Sequence, residues 1–173
     1  MANRLPTVIN NFNTYKNGSQ LIGISGEVKL PEFENVTAEV SGAGILGSFE
    51  ENVIGMFNSM EMEIPFRILD DDIFSFMDPT KTVDLTLRAS QQLTETGTGE
   101  IDYRGMRVVI RGKQKKFDAG KVKQGEQMDA SVTLEIIYLL IEIDGESKIE
   151  LDKLNFVYKV NGKDILAKVR KQC

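Results

Sequence analysis

The stretch from Ser131 to Leu151, SVTLEIIYLLIEIDGESKIEL, constrains the fold more than any other part of the chain. It opens with strict alternation, Val132, Leu134 and Ile136 on one face and Thr133 and Glu135 on the other. From Ile136 to Ile141 both faces are apolar. Leu134, Ile137, Tyr138 and Ile141 also fit helical spacing, but the β-branched content and the Asp144-Gly145 pair that follows favour a strand ending in a hairpin turn. With Gly145 left-handed in a three-residue loop, Leu139 meets Ile149 and Ile137 meets Leu151, giving one apolar face. The even face, with Leu134, Ile136, Tyr138 and Leu140, then needs a second apolar cover. Each such side chain left in water forgoes roughly 1.5–3 kcal/mol. A helix of the same chain or another subunit would supply that cover.

The flanking sequence supplies further strands. Asn17-Gly18 and Asn161-Gly162 mark tight hairpin turns, and the second would pair Tyr158 with Ile165 and Lys159 with Asp164. Ile22, Ile24, Val28 and Leu30 occupy even positions and read as a strand with Gly26 at a bulge. Met60–Ile68 alternates, with Pro65 confining it to a sheet edge or a bulge. Val83, Leu85 and Leu87 form one inner face; Met106, Val108 and Ile110 form another, with Arg107, Arg111, Lys113 and Lys115 outside. Asp70-Asp71-Asp72 lacks the spacing of a calcium loop, and one of the first two aspartates is expected to cap a short helix anchored onto a sheet by Ile73, Phe74, Phe76 and Met77. The tail from Lys163 to Cys173 fits a second short helix. This count gives a mainly β, antiparallel barrel or sandwich with one or two short flanking helices. At 173 residues it is one domain, 1–173, able to bury roughly 70% of its unfolded surface.

One stretch stands apart. SGAGILGSFEENVIGMF contains Gly42-x-Gly44-x-x-Gly47, formally a dinucleotide-binding pattern. The expected βαβ context is missing, and Gly55 interrupts any helix that would follow. The alternative is a long, flexible, glycine-rich loop over about 41–57 that exposes Ile45, Leu46 and Phe49 as a partner surface. Gly44, Ile45, Leu46 and Phe49 of this loop, with Tyr138 and Leu140 of the two-faced strand, are the candidate subunit-contact residues.

Composition narrows the function. The chain has no histidine, which removes the usual general base and the commonest nitrogen ligand for zinc. No catalytic constellation is visible, so no enzyme activity and no cofactor are expected. A single cysteine, Cys173, excludes an internal disulfide and suits a reducing cytoplasm. MANRLPTVINNFN has no apolar segment of the kind a signal peptide needs. The longest apolar run, IIYLLI, falls far short of the about 20 residues that span a bilayer. The net charge of −5 is uneven, with −8 over residues 1–99 and +3 over 100–173. That asymmetry suits head-to-tail association of identical subunits and is unlike the balance of a nucleic-acid binder.

Several short motifs carry a family resemblance: Asp118-x-Gly120, Lys123-x-Gly125-Glu126, the strand into Glu142-Ile143-Asp144-Gly145, Leu154-Asn155, and Val160-Asn161-Gly162. The Gly18 turn, Leu30-Pro31 and the Gly42–Gly47 loop precede them in the same order. With these the chain resembles the major tail tube protein of contractile-tailed bacteriophages and phage-tail-like bacteriocins; Asp70–Gly99 matches least. The resemblance implies six-membered rings stacked into a hollow tube inside a sheath. Its partners would be further copies of itself, the tail sheath protein, and baseplate and tail-terminator proteins. DNA would transit the lumen without specific binding. The location would be the virion tail or bacteriocin particle, after assembly in the bacterial cytoplasm. The competing reading, from the apolar two-faced strand alone, is a monomeric β-barrel carrier of a small ligand.

Overall fold

The computed structural model describes residues 3–24 and 26–173. Its elements are β1 (Arg4–Lys16), β2 (Ser19–Leu21), β3 (Asn35–Ser41), β4 (Ser48–Phe57), β5 (Glu61–Phe66) and α1 (Asp71–Phe74). There follow β6 (Val83–Glu95), β7 (Ile101–Asp118), β8 (Ala130–Ile143), β9 (Glu146–Asp152), β10 (Val157–Val160), β11 (Lys163–Asp164) and α2 (Ala167–Gln172). One antiparallel sheet runs β11-β10-β9-β8-β7-β6-β1-β2, with β5 on the free side of the first half of β8; β3 and β4 form a separate hairpin.

The long strand β8 organises the molecule, as its hydrophobicity demands. Its first half, Ala130–Glu135, lies between β5 and the end of β7; its second half lies between β9 and the middle of β7. Val132, Leu134 and Ile136 are fully buried, and so is Leu139, which has the opposite parity. The reason is a bulge. Arg111 pairs with Tyr138 and Gly112 with Ile136, so Ile137 is an extra residue and the inward parity changes across it. The run IIYLLI is therefore apolar in both parities because one buried face switches register within it. Gly112 sits at this bulge, where a Cβ would lie 2.6 Å from the carbonyl oxygen of Glu135.

The turn after β8 also differs from the expected three-residue loop. Asp144 and Gly145 are both left-handed (φ 55° and 79°), and Ile143 pairs with Glu146 across a two-residue turn. A further register shift beyond Ile141 then sets Leu139 opposite Leu151 and Ile141 opposite Ile149. The Asn161-Gly162 hairpin pairs Lys159 with Asp164, and the amide of Ile165 donates to the carbonyl of Tyr158. α1 is a single turn, and the carboxylate of Asp70 caps it by accepting from the Asp71 amide at 2.7 Å. The turn presses Ile73 and Phe76 into the core against β5, where Phe76 meets Phe66 edge-on.

The sheet rolls from β5 through β8, β7, β6 and β1 to β2 but does not close as a barrel. The even-position strand expected over 22–30 does not form (Ser25 lies outside the described residues). β2 ends at Leu21, Gly23 takes φ 99°, and among the described residues of this stretch only Ile24 bridges to Phe66 of β5. The Arg67 amide donates to the Gly23 carbonyl beside that bridge. Residues 22–24 and 26–31 thus form a strap across an open seam rather than a staple that shuts it.

Candidate assembly surface

Glycine content suggests a flexible loop over residues 41–57, but most of it is strand. The turn occupies 42–47, and Ser48–Phe57 returns alongside β3 with Val40 opposite Phe49 and Glu39 opposite Glu50. Gly42, Gly44 and Gly47 have φ of 153°, 89° and 91°, and the latter two need glycine for the reversal. The result is a hairpin arm that stands off the rolled sheet.

The arm is dressed for contact. Ile45 and Phe49 are exposed, Leu46 is fully exposed at the tip, and Ile54 and Met56 are exposed nearer the base. Between Lys29 and Arg67 the chain carries seven glutamates and no lysine or arginine. Glu39 and Glu50 face each other across the hairpin, a like-charge pair that costs roughly 0.2–1 kcal/mol in isolation. Among the described residues no cation pairs with Glu39, Glu50 or Glu51. The exposed apolar side chains, rather than the well-hydrated glutamates, are what leave the arm poorly suited to water alone.

The arm is fixed at its base. Val36 stands opposite the four residues Val53–Met56, and Gly55 within that irregularity has φ 91°. A Cβ on Gly55 would come within 2.9 Å of Leu166 and 3.0 Å of Phe156. Phe57 packs edge-on against Tyr158, and Lys153 donates to the Asn58 carbonyl at 3.1 Å. Gly55→Ala combines a disfavoured φ with a clash against the C-terminal segment. It is expected to lower stability by about 1–3 kcal/mol in urea unfolding, with faster hydrogen exchange concentrated in β3 and β4.

The structure divides the six candidate contact residues. Gly44, Ile45, Leu46 and Phe49 come together at the arm tip. Tyr138 and Leu140 lie elsewhere, half-buried on the sheet face turned away from the core, because Leu139 between them points inward. On that outer face Arg111 stacks 4.9 Å above the Tyr138 ring and pairs with Asp84 at 3.1 Å. The Tyr138 hydroxyl donates to Glu150 at 3.3 Å; burial and the Glu150 carboxylate together push its phenol up. Leu140 has Val109 on one side and Glu150 on the other, with Lys159 beyond it pairing with Glu150. The basic stripe read from β7 is largely neutralised in the same way, Arg107 by Glu142 and Lys115 by Glu61.

A second apolar area was not foreseen. Leu5 and Val8 of β1 and Ile101 and Tyr103 of β7 share the outer face through Thr94 and Gln92 of β6, and all four are exposed. Alternation does not reveal it, because Leu5 and Val8 have opposite parity and share a face only through the register shift between Pro6 and Val8.

The sequence of this chain matches the family of the phage tail tube protein FII over residues 6–173. The chain belongs to that tail tube family. A tail tube protein of Escherichia phage P2 is 28% identical over 168 residues, 96% of each chain. A major tail tube protein of Serratia phage KSP20 is 24% identical over 162 residues, 93% of this chain and 91% of that one. This tail tube protein is accordingly a structural component of a phage virion. An exposed arm and an unpartnered sheet face are understandable in a subunit whose role is to be surrounded by other subunits.

Proposed function

We propose that copies of this chain form six-membered rings that stack into the hollow inner tube of a contractile tail. The observation that carries this reading is the arm. Leu46, Ile45 and Phe49 are exposed on a preformed β-hairpin rather than on a loop that could fold away. In this reading the arm bridges subunits, and the outer face around Tyr138 and Leu140 meets a neighbour or the channel. The sheath encloses the tube, baseplate and tail-terminator proteins bound its ends, and DNA passes without specific binding where the particle carries a genome. Assembly takes place in the bacterial cytoplasm, and the protein performs no catalysis.

A small-ligand carrier would stay monomeric and take up a hydrophobic fluorophore with saturable stoichiometry. The family membership and the acidic, apolar-tipped arm favour the tube instead. Negative-stain microscopy of the purified protein at raised concentration separates the two readings. Rings or tubes are expected, and particles of monomer size under all conditions would refute assembly.

A further inference from the structure

We propose that the open seam of the rolled sheet is the socket for the arm tip of a second copy. Each subunit then carries a knob in one place and its receptor in another. The proposal rests on the tube reading and adds the partner surface.

A half-open cavity of about 780 Å³ lies beneath the strap, between it and the inner face of the sheet. That size is within the roughly 300–1,000 Å³ of pockets that enclose a guest. Leu87, Ala89, Met106 and Val108 line it, continuing the apolar core outward to the seam. Thr14 also lines the cavity, and its hydroxyl is buried without a hydrogen-bond partner. A hydroxyl in this position is satisfied by water held in the cavity or by a polar group that enters it. The arm tip offers one, because its glycine-rich turn exposes backbone amides and carbonyls beside the apolar side chains of Ile45 and Leu46.

Charge supports the same pairing. Arg67 and Glu27 both line the cavity, and neither makes an ion pair among the described residues; Arg67 is exposed and is the one cation of the lining. Glu50 and Glu51 follow directly on the tip and have no cation. Placing the tip of one copy in the seam of another brings these unpaired charges of opposite sign together, which fixes register as well as contact. Because knob and socket are different surfaces of one chain, the contact is heterologous and propagates into a ring or a stack rather than ending at a dimer.

A charge exchange tests this. Arg67→Glu is expected to lower the sedimentable assembled fraction about tenfold or more at fixed total concentration. Adding Glu50→Lys and Glu51→Lys to the same chain is expected to restore it. Normal assembly of Arg67→Glu, or no rescue in the triple variant, would overturn the socket. Should Arg67→Glu change the circular dichroism spectrum, the socket is judged by cross-linking. Leu46→Cys and Ile22→Cys in a Cys173→Ser background are expected to give intermolecular disulfide ladders on oxidation of assembled protein. Assembled tubes without ladders would sink the socket and leave the tube reading intact. Absence of tubes from the unmodified chain would sink the tube reading itself.

Discussion

Leu46→Asp is expected to abolish tube formation while leaving the folded subunit unchanged. Leu46 is fully exposed at the tip of the arm and touches no core residue, so its replacement removes nothing from the subunit's own packing. Surface substitutions of this kind usually change stability by no more than about 0.5 kcal/mol. On the proposed tube reading the same position would be buried against another subunit, where an unpaired carboxylate would lose its hydration without compensation. The far-UV circular dichroism spectrum and urea midpoint should match the unmodified protein, and microscopy should show no tubes. Normal tube growth from Leu46→Asp would remove the arm from the assembly mechanism.

Leu134→Ala is expected to do the reverse, damaging the subunit before any question of assembly arises. Leu134 is completely buried in the first half of β8, with Met62 opposite on β5 and Gln114 opposite on β7. Truncating it removes buried methyl groups and leaves a cavity at the junction of three strands. The cost should be about 2–5 kcal/mol, and the thermal midpoint should fall by roughly 5–15 °C for a chain of this size. Calorimetry checks it; a loss below about 1 kcal/mol would mean that the junction of β5 and β8 is not the central packing site. Together the two substitutions separate folding from assembly.

Much of the fold was legible because side-chain alternation reports directly on burial. Val83, Leu85 and Leu87, Val108 and Ile110, and Met62, Ile64 and Phe66 all point inward as their spacing requires. The Asn17-Gly18, Asp144-Gly145 and Asn161-Gly162 pairs all form turns with both residues left-handed. The family resemblance, too, rested on such turn motifs, and the family match confirms it.

What the residues hid has physical causes. A bulge at Ile137 makes one buried face look like two, since apolar residues of either parity are needed on its two sides. The apparent need for a second apolar cover over Tyr138 and Leu140 arose from that. The arm reads as a loop in sequence because glycines at 42, 44, 47 and 55 mask the strand between them, although only the tip and the base use their freedom. The even-position pattern over 22–30 marks a strap held by one bridge, and the cavity it leaves depends on packing that no local pattern encodes. Candidate contact residues at the arm tip could be named from sequence because exposed apolar side chains beside glycine are conspicuous. The cavity proposed as their receptor could not.

The most direct test of the tube account is end-on negative-stain imaging of the purified chain concentrated at moderate salt. The account predicts hollow rings with six-fold symmetry, which in side view stack into tubes of constant diameter. A chain that remains monomeric across concentration and salt, or that gives only closed particles without a central channel, would contradict it.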